Sequence, residues 1–339
     1  MRRLVAQMVV FALFAVAFVS GATAQQIHRI AFFGDSLTDS GNNFIFTGQS
    51  THIPFPLGPA AFSYAIDGHQ YSNGMVWSQY VANALGLPLS GLPSLQTRNG
   101  TYTNYSVGEA RSRSNAPVLP DFSLTSQVNI FLSDFNGTVP PDTLVVIWIG
   151  SNDLEDALNA LSTDPSGGAS ENIIGEAVTV IFQNMQVLYA HGARQFLIAN
   201  IPDLSKTPYL RLLGRSNPII PIIASEFTTE FNLALAGEVQ AFNAEPGLQY
   251  LRLFDANALL NVVSGIPRRF NLFNVTDRCT TPLVTTNAIC KIPDAYLFWD
   301  ATHPTTAGHR VIAAAVLAVL PRQTRRRHPA RELRPRGSE

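Results

Sequence analysis

A threonine followed by six apolar residues, Thr143-Leu144-Val145-Val146-Ile147-Trp148-Ile149, constrains the fold more than any other stretch. The run is too short for a membrane span and rich in β-branched residues. It therefore predicts a strand buried on both faces, as in a parallel sheet. It stops at Gly150-Ser151-Asn152-Asp153, where glycine and small polar residues turn the chain. Ile27 to Phe33 is a second such run, ending at Gly34-Asp35-Ser36-Leu37, and further strands are read at Gln195 to Ala199 and Tyr250 to Phe254. A short strand-like run, Thr101 to Val107, stops at Gly108. Helical spacing is read from Met75 to Leu85, Leu124 to Phe135, Glu171 to Ala190, Glu226 to Phe242 and about Pro304 to Leu320. Strands alternating with helices predict an α/β domain with a central parallel sheet, over residues 25–320. Residues 44–72 read as loop, and a proline-interrupted insertion that contains the apolar run Pro218 to Ile223 is read between the strand ending at Ala199 and the helix from Glu226.

Both ends fall outside that domain. Arg2 and Arg3 precede an apolar run, Leu4 to Val19, and Ala22-Thr23-Ala24 supplies small residues for cleavage after Ala24. Residues 1–24 are thus expected to be a signal peptide that exports the chain. No later stretch reads as long and apolar enough to cross a bilayer, so no transmembrane span is expected. The net charge of −1 hides an asymmetry. Without Arg2 and Arg3 it is −3, and the tail from Arg322 to Glu339, with seven Arg and two Glu, leaves a body near −8. An acidic body argues against nucleic acid as the main partner, and none is expected. The tail, residues 321–339, reads as disordered, with a weak attraction to anionic surfaces as the alternative to simple solvation.

Cys279 and Cys290 lie close together in a segment rich in Thr, Asn and Pro. In an exported chain they are expected to pair as a local disulfide. The alternative, a metal site, lacks a His or further Cys at ligand spacing, so no metal is expected. The sequons at Asn99, Asn104, Asn136 and Asn274 are glycosylation acceptors if the host is eukaryotic.

Ser36 sits just past the carboxyl end of the first strand, the edge at which open α/β sheets place their ligands. It is a nucleophile only if a base and an oxyanion site converge on it; otherwise it is a turn residue. Three later places answer it. Gly108 ends the strand-like run, and with no Cβ its backbone N–H can approach an oxyanion, although glycines also simply end strands. Asn152, in the turn after the buried strand, offers a side-chain donor or an Asx turn. Asp300-x-x-His303 pairs an imidazole with a carboxylate that can fix its tautomer, and among seven histidines only His303 has an Asp three residues before it. Pro304 then suits the first position of the last helix. His309 and the other histidines read as surface or packing residues. Asp35 and Asp153 read as turn-positioning carboxylates, and Trp299 as packing beneath His303.

Taken in order, Gly34-Asp35-Ser36-Leu37, Gly108, Gly150-x-Asn152-Asp153 and Asp300-x-x-His303 resemble the four blocks of the GDSL (SGNH) hydrolase family. The strings Gly34 to Asn42, Asn104-Tyr-Ser-Val-Gly108 and Leu297-Phe-Trp-Asp300-x-x-His303-Pro-Thr305 resemble its phospholipase/lecithinase/hemolysin-like branch. The resemblance covers roughly residues 27–320. It implies a flavodoxin-like three-layer α/β/α sandwich and a secreted serine esterase without cofactor, acting on lipid or phospholipid acyl esters. Acylated carbohydrate is the alternative substrate, and a non-catalytic binding module the alternative of another class. The resemblance also implies Ser36 as nucleophile, His303 as base, Asp300 as its orienter, and an oxyanion hole of the Ser36 and Gly108 N–H groups with the Asn152 side chain. One departure stands out: many members of the branch carry a second glycine where this chain has Glu109.

Overall fold

The computed structural model describes residues 26–46, 70–114, 121–280 and 289–321. The expected leader 1–24, most of the 44–72 loop and residues 322–339 lie outside these. Four parallel strands, β1 (Arg29–Gly34), β2 (Thr143–Trp148), β3 (Gln195–Ala199) and β4 (Tyr250–Phe254), lie side by side in chain order. In register, Phe32 pairs with Val146, and Ile147 with Ile198. The strand-like run before Gly108 joins the free edge of β1 through Phe32 N–H to Thr103 O, Tyr105 N–H to Phe32 O and Val107 N–H to Gly34 O. It makes only isolated bridges rather than a regular strand. Chain order therefore reverses at β1, with the 101–107 segment on one side and β2 on the other. That reversal is the switch point where α/β folds place ligands.

Alternation along the strands splits the core in two. Ala31, Phe33, Val145 and Ile147 face α3 (Leu124–Asp134), α5 (Gly168–Ala190) and α7 (Ile219–Phe242). Ile30, Phe32, Leu144, Val146 and Trp148 face α2 (Trp77–Ala84), α8 (Ala256–Gly265) and α9 (Thr306–Val319). Helices thus cover both faces, as the all-apolar β2 required. A short helix, α1 (Asn42–Phe46), follows the β1 turn.

Several helices depart from the sequence reading. α4 (Ser151–Ala160) begins at the turn after β2 and α8 at Ala256, each in a stretch left unassigned. α6 (Pro208–Ser216) and the early start of α7 at Ile219 replace the expected proline-interrupted insertion. Pro208 is the first residue of α6, Pro218 caps α7 and Pro221 lies in its first turn, where a missing N–H costs no helical bond. At the other end, Pro304 precedes the helix rather than opening it: Thr305 is the N-cap of α9, its hydroxyl accepting from Gly308 N–H at 3.1 Å. α5 and α7 are, contrary to the sequence reading, long and apolar enough to cross a membrane. Both bury a core face, through Ile174, Ile181 and Met185 of α5 and Phe231, Leu235 and Phe242 of α7.

A second, two-stranded parallel sheet, β5 (Asn274–Arg278) and β6 (Tyr296–Phe298), leads into the loop that carries Asp300 and His303. Cys279, at the end of β5, is disulfide-bonded to Cys290. Of the four sequons, Asn104 is fully buried, its amide donating to Thr38 O at 2.8 Å and to Ser78 Oγ, and so is closed to glycosylation.

Candidate active site

Ser36 lies two residues beyond β1, in a turn closed by Thr38 and Asp39 N–H donating to Asp35 O. From the far end of the chain, His303 reaches it: Nε2 lies 2.8 Å from Ser36 Oγ and Nδ1 lies 2.7 Å from Asp300 Oδ2. A carboxylate only accepts, so Nδ1 carries the proton and Nε2 accepts from the serine hydroxyl. Asp300 also fixes the loop, because its Oδ1 accepts the backbone N–H of His303 at 2.7 Å and of Thr302 at 2.9 Å. Trp299 is buried, and its backbone N–H closes the turn by donating to His303 O. All three site residues are less than a tenth exposed.

Burial alone would lower the His303 pKa, but the Asp300 charge and hydrogen bond outweigh it and hold it above the usual histidine value. Burial likewise opposes ionisation of Asp300, yet His303 and the two backbone donors keep its pKa below the ordinary carboxylate range. The imidazole is thus poised as a strong base.

Ser36, Asn152 and His303 share one cavity wall, beside Leu37, Trp148 and Leu297. About 970 Å³ of unfilled space, counting the open mouth, runs from the serine along apolar side chains of β6, α8 and α9. Asn152 sits in the first turn of α4 and its Nδ2 donates to Ala110 O at 2.8 Å, leaving its second N–H available. The Ser36 N–H has no hydrogen-bond partner among the described residues.

Gly108 departs from the expectation. Its N–H donates to Asp39 Oδ2 at 2.8 Å, and the residue is not part of the cavity wall. Asp39 is a hub that also accepts from Gly41, Asn42 and Asn43 N–H; burial raises its carboxyl to about 6, against those hydrogen bonds. What makes residue 108 a glycine is Tyr71: a Cβ would overlap the Tyr71 phenol, whose ring packs 5.1 Å from the His303 ring. Glu109, where many of the family have glycine, adopts a left-handed φ of 66° that a glycine would take without strain. Its side chain points to solvent.

Asp153 takes the structural role read for it, accepting from Ser112 N–H and Arg113 Nε, which pins the 110–113 loop. Asp35 accepts from Leu37 N–H; burial pushes its carboxyl up to about 7, and its second oxygen has no partner among the described residues. His309 packs in the core with Nδ1 accepting from Trp77 N–H, and burial lowers its pKa to about 3. Two residues of the site escaped the sequence reading. Glu155 lines the cavity with its carboxyl raised by burial to about 7, and it lies one helical turn after Asn152. That spacing would have found it had α4 been read as a helix. Tyr71 sits in the loop-like 44–72 stretch, where nothing marked it.

A profile of the GDSL-like lipase/acylhydrolase family matches residues 30–316. The chain is 28% identical to a thermolabile hemolysin of Vibrio parahaemolyticus over 86% of this chain and 63% of that protein, so it spans less than two thirds of that relative's length. It is 23% identical to a GDSL esterase/lipase of Arabidopsis thaliana over 90% of each chain. An acetylesterase of Thermothelomyces thermophilus is 24% identical over 84% of this chain and 85% of its own. By the extent of the family match, the chain belongs to the GDSL-like lipase/acylhydrolase family, and with it to the carboxylic ester hydrolases.

Proposed function

We propose that the protein is an exported serine esterase that cleaves acyl esters of lipid type through an acyl-enzyme on Ser36. The observation that carries this reading is the hydrogen-bonded chain Ser36–His303–Asp300 at the head of an apolar-lined cleft. In the first half-reaction His303 Nε2 takes the hydroxyl proton as Ser36 Oγ bonds to the carbonyl carbon. Negative charge then develops on the carbonyl oxygen, facing the free Ser36 N–H and the Asn152 amide. Collapse breaks the ester C–O bond, and His303 returns its proton to the departing alkoxide. Water, deprotonated by the same imidazole, then attacks the acyl-enzyme and releases the acid. Gly108 N–H joins the oxyanion site only by leaving Asp39. Its role in this chain is chiefly to make room for Tyr71, which supports the His303 ring.

The cavity favours an extended acyl chain over acetate, since an acetyl group would leave most of its apolar wall uncovered. The Thermothelomyces relative makes acetylated carbohydrate the competing substrate class. Export is supported by the Arg2-Arg3 leader pattern and by the Cys279–Cys290 disulfide. A p-nitrophenyl ester series from acetate to palmitate tests the assignment. kcat/KM is expected to rise with chain length beyond acetate and to fall at least ~10³-fold in Ser36→Ala. Activity undiminished in that variant removes Ser36 as nucleophile; a preference for acetate, with release of acetyl groups from acetylated xylan, replaces the lipid reading.

A further inference from the structure

The helical hairpin α6–α7 stands apart from the acidic body. From Leu204 to Ser225 there is no Asp or Glu, but there are Lys206, Arg211 and Arg215. None of these three cations has an ion-pair partner among the described residues. Arg211 donates to Lys206 O, and Lys206 Nζ to Asn261 Oδ1, which leaves their charges uncompensated. Apolar side chains are interleaved with the arginines. Leu212 is 39% exposed, Ile219 50% and Ile222 52%, the opposite of what a helix facing its own core shows. The tip is held shut, since a Cβ on Gly214 would lie 2.6 Å from Pro221 Cγ across the two helices. Along the chain the cationic stretch is bounded by Asp203 and Glu226, and in space Glu155 of α4 faces it from the cavity beneath.

This surface leads to the site. Ile219 edges a second cavity between α4, α6 and the start of α7, lined also by Leu213, Ile220 and Ile223. That cavity shares Glu155 and Leu210 with the one holding Ser36 and His303. The two cavities are therefore neighbours, with Leu210 common to their apolar walls.

We infer that the α6–α7 hairpin is a docking surface for an anionic lipid bilayer, and that it feeds acyl chains toward Ser36. Cations beside half-exposed aliphatic residues, on an otherwise acidic protein, are the pattern of an interfacial membrane contact. The feeding half of the inference rests on the esterase reading; the docking half does not.

The experiment is co-sedimentation of full-length Ser36→Ala protein with phosphatidylglycerol or phosphatidylcholine vesicles, at low and high salt. Tighter binding to phosphatidylglycerol, weakened by salt, is expected. Arg211→Gln/Arg215→Gln should weaken it about thirtyfold, from two cations at the surface, and Ile222→Ser about fivefold, from half an aliphatic side chain. In the wild-type background neither change should alter hydrolysis of soluble p-nitrophenyl butyrate, which also certifies the fold, whereas hydrolysis of vesicle lipid should fall in parallel with binding. Equal binding to both lipids, or no binding, overturns the docking surface. Undiminished binding in the double variant assigns it to the Arg-rich segment 322–339 and overturns it equally, as does a loss of self-association in its place. Vesicle binding by a wild-type protein that cleaves no ester leaves the docking intact and removes the esterase reading. Cleavage of soluble esters without vesicle binding does the reverse.

Discussion

Replacing Asp300 by Asn separates the carboxylate's charge from its place in the loop. Asp300 Oδ1 accepts two backbone N–H groups, from His303 at 2.7 Å and Thr302 at 2.9 Å, while Oδ2 alone faces His303 Nδ1 at 2.7 Å. An asparagine that keeps both backbone bonds must turn its NH₂ toward Nδ1, which then has to accept. The imidazole proton moves to Nε2, and Nε2 becomes a donor toward Ser36 instead of its base. Turning the amide the other way would leave two buried N–H groups unpaired, at about 1–3 kcal/mol each, so the first arrangement wins. A wrong tautomer costs of order 10³–10⁴ in kcat. Asp300→Asn should therefore lose that much kcat at nearly native stability. Asp300→Ala should lose as much activity and also unfold more readily, by about 2–6 kcal/mol, because the acceptor of both backbone N–H groups vanishes.

The pH profile supplies a second readout. Activity requires neutral His303, so kcat/KM falls as pH drops through its pKa. Asp300 holds that value above 6.5, which places the acid limb of the wild type above pH 6.5. Without the Asp300 charge the limb should move to lower pH, although Asp35 and Glu155 still raise the imidazole. The assay is kcat/KM on p-nitrophenyl butyrate from about pH 5 to 9, with thermal melts alongside. More than about a tenth of wild-type kcat in Asp300→Asn, or an unmoved acid limb, would refute the tautomer argument.

Two further outcomes follow from buried groups around the site. Gly108→Ala should destabilise the protein by about 1–3 kcal/mol through overpacking against Tyr71 and should lower kcat by displacing the ring that supports His303. A melt unchanged from wild type would show that Tyr71 is free to move. The Asp35 carboxyl, at about 7 when folded against 3.8 in the free side chain, keeps its proton longer in the native state, so native stability declines as pH rises between those values. Asp35→Asn has no such decline. Its melting temperature relative to wild type should grow more favourable from about pH 4 to pH 7 and level off above, and a pH-independent difference would mean that Asp35 is ionised in the fold.

Much of this was written in the local chemistry of the chain. β3 and β4 have the bounds that the sequence predicted, and β2 lacks only Ile149; for β2 and β3, buried throughout, an apolar run has nowhere to go but a covered sheet, whereas β4, with Arg252 in it, is half-buried. The positions of Ser36, Asn152 and His303 at strand or helix ends could be read because glycine and small polar residues mark where such elements stop. What the sequence could not supply were the relations across long separations. That Gly108 N–H finds Asp39, 69 residues away, depends on the 101–107 segment docking along β1. That Glu155 enters the cavity depends on α4 being a helix at all, and its ten residues, with only Leu154, Ala157, Leu158 and Ala160 apolar, are too polar overall to announce one despite their helical spacing. The prolines near residues 208–221 looked like breaks because local rules count a missing N–H as a loss; only the helix starts, where that N–H has no partner, remove the penalty. Local propensity specified the parts and the chemistry each could perform. Which parts share a wall was decided by packing two cores onto one sheet, a choice that rests on shape and excluded volume between distant residues.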